Sequence, residues 1–379
     1  MNTCKSCLVL LAVLAMGCSP SESEPVVEEN EVSVDVNYSV LLTHNDLLSE
    51  SLLNANGQVI TLNPAVSSFE SIEAPQLSYR DGTLLSFYTG GEDCTGTLIS
   101  FDFRTSVSRE FTVFDDLADC ELQVKSITHS ENAIYLVYSI PGDGLKGMDY
   151  FLRRVDATSA DGTFSEIQLQ KEPEQIVFAN NRVFILSGDP DEENKYGLVV
   201  YDVPGEALIH DINLDDDAQK IFRTIDGNIM VSYPDLHLTI NSGTMGITST
   251  VRYNDGQEPK FGYTRAGYFD SQGNLYYPMP TDFSGTDYAN IPGVFNFATN
   301  TAILYFYENF LTAEEREFEY EIGDTSMVSY DADNNLILIG YQKSSDANKG
   351  GLLRVRPIPD PKFIDNIDLD GVPFEIFVE

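Results

Sequence analysis

Histidine and cysteine are the residue types best suited to metal binding and nucleophilic chemistry, and their spacing here offers neither. His44, His129, His210 and His237 are scattered, with no HxxxH or CxxC pattern that would set ligands at coordinating distance. No G-x-S-x-G elbow, phosphate-binding loop or G-x-G-x-x-G turn opening a helix occurs, so no catalytic constellation, cofactor or metal is expected. The run Asn366-Ile-Asp368-Leu-Asp370-Gly371 imitates the start of an EF-hand loop, but its twelfth position is Phe377 and Pro373 intrudes. The acidic stretches at 189–193 and 331–335 read as turns, in which Asp and Asn bond their own backbone. Among 60 Asp and Glu residues some pair always lies at glycosidase spacing, and nothing singles one out.

The cysteines instead report on export. Lys5 supplies a positive start and Leu8 to Met16 an apolar run too short to span a bilayer, so 1–17 is expected to be a signal peptide. The sequence Ala15-Met16-Gly17-Cys18 resembles the bacterial lipobox, with Ala15 where leucine is more usual, which makes Cys18 the expected site of acylation. Residues 18–32, SPSESEPVVEENEV after the cysteine, are acidic and too polar to fold, and form an expected tether. That acidic run resembles the surface-export signal of Bacteroidota lipoproteins and implies an outer-membrane protein exposed at the surface, a periplasm-facing anchor being the alternative. Cys94 and Cys120 are left for the 33–379 domain, and an exported compartment permits them a disulfide, worth roughly 3 to 4 kcal/mol in the chain-entropy model. A net charge of −38 sets phosphate and protein against each other and argues against nucleic acid as a partner.

The elements that must position any site are strands. From residue 33 onward short runs of Val, Ile, Tyr and Phe alternate with Gly, Asn, Asp and Pro turns. One unit recurs: QLSYRDGTLLSFY, SITHSENAIYLVY, QIVFANNRVFILSG, KIFRTIDGNIMVSY, AGYFDSQGNLYYPM and MVSYDADNNLILIGY. Its turn residues are Gly82, Asn132, Asn181, Gly227, Gly273 and Asn334, and each unit continues into a third strand, with STVRYN expected in that place in the fourth. Repeats of this length with four strands each make propeller blades. The C-terminal FEIFVE and the N-terminal NYSVLLTH, SLLN and QVITLN supply a seventh, so the expected fold is an all-β, seven-bladed β-propeller closed by pairing its terminal strands, near Phe374–Val378 and Tyr38–Thr43. The capping-box pattern from Thr312 to Glu315 predicts a short helix around Ala313 to Glu317. The absence of tryptophan argues against quinone-dehydrogenase, sialidase and WD40 propellers.

In such a ring the loop holding Cys94 and the loop holding Cys120 emerge on one face. The loops expected there carry Lys146, Lys195, Tyr233, His237, Lys260, Tyr263, Arg265, Phe283, Tyr288, Lys343 and Lys349. Cations beside aromatic rings suit an anionic, aromatic small molecule.

The AMGC start with its acidic run, the segment NYSVLLTHNDLLSESLLNANGQVITL and pieces such as AGYFDSQGNLYYPM are similar to lipid-anchored seven-bladed propellers of Bacteroidota surface systems. Some of these capture ferric siderophores beside a TonB-dependent receptor. The resemblance implies a non-catalytic module that captures a ligand for such a receptor, and it assigns no ligand residue. Two other readings compete: a glycan-active hydrolase or lyase with carboxylates in the central channel, and a scaffold for other proteins. Converging Lys, Arg and Tyr in the channel favour anion capture, whereas two facing carboxylates about 5 to 10 Å apart favour glycoside chemistry.

Overall fold

The second strand of each repeat is the most apolar, and the structure explains why. Ala133–Pro141, Arg182–Gly188 and Leu336–Lys343 are buried along nearly their whole length, on both faces. Strands covered on both faces read as continuous apolar runs rather than alternating ones. The outermost strands Val107–Val113 and Ile247–Arg252 are largely exposed and correspondingly polar. The computed structural model describes residues 33–91, 94–117, 121–142, 147–190, 192, 194–214, 216–263, 267–281 and 286–379.

The described residues form seven antiparallel sheets, numbered here as blades 1 to 7. The innermost strand comes first in blades 1 to 6: Leu77–Asp81, Gln123–His129, Glu172–Ala179, Lys220–Arg223, Tyr268–Phe269 and Ile322–Asp331. Blade 7 takes its innermost strand, Val372–Val378, from the C-terminus and its remainder from Val36–His44, Leu47–Ala55 and Ile60–Leu62, with Ile72–Glu73 as an added edge. Tyr38 lies opposite Val378 and Thr43 opposite Val372, as the terminal apolar runs require, so the ring is closed and its sheets have no open junction.

Each seam between neighbouring blades is filled by one apolar cluster. Blades 1 and 2 share Tyr88, Leu98, Leu136 and Tyr138, for example, and blades 7 and 1 share Leu41, Phe87, Phe101 and Phe377. Phe103 stacks on Phe377 with ring centres 3.9 Å apart. Polar side chains finish what the sheets leave open. Ser126 Oγ and Thr128 Oγ1 accept the Ile176 and Phe178 amides at 3.1 Å, so blade 2 satisfies the inner edge of blade 3. Arg153, 1% exposed, forks onto Asp116 at 2.7 and 2.8 Å and reaches Glu166 at 2.9 Å.

Two details differ from the sequence reading. In blade 4 the third strand is Leu236–Ile240, and STVRYN lies in the fourth, Ile247–Arg252 and just beyond. The turn at Tyr233-Pro234-Asp235 is short enough to bring Leu236 straight back onto the second strand, where a longer loop was expected. The short helix forms, but as a π turn over Glu315–Glu319. Its capping box is reciprocal: Thr312 N donates to Glu315 Oε2 at 2.7 Å and Glu315 N to Thr312 Oγ1 at 3.3 Å. Cys18 and Cys120 lie outside the described residues, as do the 1–17 and 18–32 segments.

Candidate functional site

Because the first strand of every repeat is innermost, its polar residues line the axis of the ring. Two adjoining cavities of about 670 and 440 Å³ occupy this axis, and both are walled by Gly267 and Glu375. The larger runs along blades 5, 6 and 7 past Tyr268, Asp324, Met327 and Phe374. The smaller is built by Tyr79 and Arg80, Lys125, Glu174 and Gln175, Lys220, Arg223 and Phe269, from five blades.

Charge is arranged differently at the two ends of the smaller cavity. Arg80, Asp81 and Arg223 close their strands on the side of the inner hairpins. There Arg223 reaches across the ring from blade 4 to Asp81 of blade 1 at 2.5 Å. Arg80 binds Glu375 at 2.6 Å and the Ile376 carbonyl at 2.8 Å, and lies over the rings of Phe377 and Tyr268 at 4.2 and 5.1 Å. Each of these cations is matched by a carboxylate, so this end is bridged and locally neutral.

The other end, where the blade-to-blade connections arrive, is not balanced in this way. Lys125 pairs with Glu172 at 3.2 Å. Glu174 borders the same space. Desolvation by the channel wall holds its carboxyl above the usual range; Lys125 opposes this and Glu172 adds to it. Lys220 opens the blade 4 strand and lines the cavity, and no hydrogen bond or ion pair reaches Nζ among the described residues. Burial penalises its charged form and brings it down to about 8. The Gln175 amide fixes the strand that carries it, accepting from Ile221 N and donating to Ile221 O, both at 2.9 Å. Asp324, in the larger cavity, is occupied by Asn290 through N and Nδ2 at 2.7 and 2.8 Å. Among the described residues no group of three His, Cys, Asp or Glu is placed to hold a metal.

Of the residues proposed from the loops, the structure places Lys343 and Lys349 in one groove and the other described ones elsewhere. Lys146, Phe283 and Arg265 lie outside the described residues, and of Tyr263 only the backbone, in the single turn Phe261–Tyr263, is described. Tyr233, His237 and Tyr288 are 6, 4 and 8% exposed and belong to the seams, not to loops open to a ligand. His237 is packed by Tyr253 and Phe297 at 5.5 Å each, and Tyr288 by Tyr307 at 4.9 Å. Lys195 pairs with Glu192 at 2.8 Å, and Lys260 is half-buried in the connection from blade 4 to blade 5. Lys343 binds Asp368 at 3.0 Å and shares an outer groove with Lys349, Glu50 and Asp370, away from the axis. The channel residues were missed because loops, not inner strands, were searched for charge. Their signal was present in QLSYRD and KIFRT, where cations stand within the first strand of the repeat.

Seven blades around an axial channel, six of four strands and one of five, define the chain as a seven-bladed β-propeller. Similar solved structures include putative 6-phosphogluconolactonases from Bacteroides uniformis ATCC 8492 and Bacteroides fragilis NCTC 9343. Each is 9% identical and covers 91% of this chain, with 99 and 98% of its own length matched and a TM-score of 0.51. At that identity the likeness is one of fold. No family model and no curated protein matches the sequence.

Proposed function

We propose that the protein is an exported, lipid-anchored binding module that takes an anionic small molecule into the channel at the Lys220 end. The observation that carries this reading is Lys220, with no ion pair among the described residues, lining a cavity of about 440 Å³ together with Lys125 and Tyr79. In a protein of net charge −38, an ammonium with no ion pair among the described residues is a local site for one small anion, set against Glu174 on the same wall, while larger polyanions are repelled by the surface. Binding is favoured over glycoside chemistry because Glu375 and Asp324 are each held by a partner of their own, which leaves Glu174 facing no second unpaired carboxylate among the described channel residues. Acylation of Cys18, display at the outer-membrane surface, a Cys94–Cys120 bridge and delivery of a ferric siderophore to a TonB-dependent receptor complete the proposal.

Calorimetric titration of the mature protein with benzoate and with a ferric catecholate tests it. Saturable binding weakened at least tenfold by Lys220→Ala is the expected result. Heat-silent titrations with both anions overturn the reading. Binding of benzoate but not of the iron complex removes the siderophore alone.

A further inference from the structure

Lys220 differs from the other lysines whose contacts are known. Lys125, Lys171, Lys195 and Lys343 each hold a carboxylate, at 3.2, 2.8, 2.8 and 3.0 Å. Lys220 has no such partner among the described residues, and its Nζ lies 5.9 Å from the Phe222 ring centre. Its backbone is pinned on both sides, by pairing to Ser232 in the second strand and by the Gln175 clamp on the next residue. The strand that carries the amine is therefore fixed, and the side chain lines the cavity with no ion pair to its ammonium among the described residues.

We infer that Lys220 is a carbonyl-reactive amine, which condenses reversibly with a small aldehyde or ketone admitted to the channel. This rests on reading the Lys220 end as the ligand site. The nitrogen lone pair bonds to the carbonyl carbon while the C=O π pair moves to oxygen. A proton passes from nitrogen to that oxygen to give a carbinolamine; a proton from solvent then lets the hydroxyl leave as water while the nitrogen lone pair forms the C=N bond, giving a protonated imine. No oxidant or reductant is required. The reaction needs a neutral amine, and burial supplies one: at about 8, roughly a tenth of the amine is unprotonated at pH 7, against under a thousandth for a lysine in water. Such desolvation is the usual means by which a lysine becomes a nucleophile.

The test is reductive trapping. The mature protein is treated with limiting glyoxylate and cyanoborohydride at pH 7, and the carboxymethylated lysines are quantified by peptide mass spectrometry. Lys220 is expected to be labelled at least tenfold faster than Lys171, Lys195 or Lys343 in the same sample. This comparison needs no variant, so a failure to fold cannot obscure it. Lys220→Arg, which keeps the charge, is expected to lose the fast phase and leave the slow labelling elsewhere unchanged. Labelling of Lys220 no faster than of the ion-paired lysines overturns the inference. Benzoate, which forms no imine, separates it from the binding proposal: if benzoate still binds and Lys220→Ala weakens it, the anion site stands and only the covalent chemistry falls.

Discussion

His129 and His237 lie at 1 and 4% exposure, each with one ring nitrogen that has no partner among the described residues. Burial holds both well below the ordinary 6.5, at about 4. Between those values the unfolded chain binds a proton that the folded chain refuses, so stability is lost as pH falls from about 6.5 towards 4. Each site can contribute up to about 3 kcal/mol to that loss. His237 is ringed by aromatics, so His237→Phe is expected to flatten this limb of a urea-midpoint profile followed by circular dichroism. Asp116, by contrast, is held below the usual carboxylate range chiefly by its bond from Arg153, and its contribution is lost only at lower pH. Arg153 itself is buried with two acidic partners, and removing it strands both. Arg153→Ala should lower stability by about 3 kcal/mol in the same assay, and an unchanged midpoint would show that the pair is neutral.

Elements meet in this ring at very close range. Gly350 begins the third strand of blade 6, and a β-carbon there would lie 2.3 Å from the Tyr341 carbonyl oxygen and 2.8 Å from Pro373 Cδ of blade 7. Gly246 has its nearest neighbour, a threonine hydroxyl, at 3.7 Å. Gly350→Ala is expected to cost about 1–3 kcal/mol, by forcing two blades apart, while Gly246→Ala stays near neutral in the same urea titration. Much of the element order was legible because a blade writes itself as hairpin after hairpin. The Asn180-Asn181 turn has both residues at positive φ, 51 and 56°, the conformation that Asn and Gly favour. What could not be read was the direction in which polar residues face. His237 looked like a loop residue because Pro234-Asp235 reads as the middle of a longer connection. Lys220 and Arg223 looked like strand residues, which they are, and only the curvature of the ring turns them to the axis. At this scale the proposed Cys94–Cys120 bridge also has its check: alkylation of the denatured, unreduced mature protein should leave both thiols unlabelled.

For the whole molecule the decisive contact is the pairing of Val372–Val378 with Val36–His44. Deleting residues 372–379 removes the inner strand of blade 7, Phe377 from the seam with blade 1, and Glu375 from Arg80. The shortened chain is expected to lose its single cooperative unfolding transition and to aggregate, as an open sheet edge invites. A sharp transition at the parental midpoint would show that six blades close without it.

That same pairing determines how the ring answers to force. Tyr38 lies opposite Val378, and the Glu379 amide donates to the Asn37 carbonyl at 2.9 Å, so both ends of the domain leave from the same end of one strand pair. A load applied between them peels the two strands apart one hydrogen bond at a time instead of shearing the whole ladder at once. The ring should therefore open first at blade 7, at low force, while the blades that are each closed on themselves hold. Drawn from its two ends in an optical trap, the protein is expected to release the short segment 372–379 and the strands of blade 7 before any other length of chain, an extension that a shortened ring lacking those residues would not show.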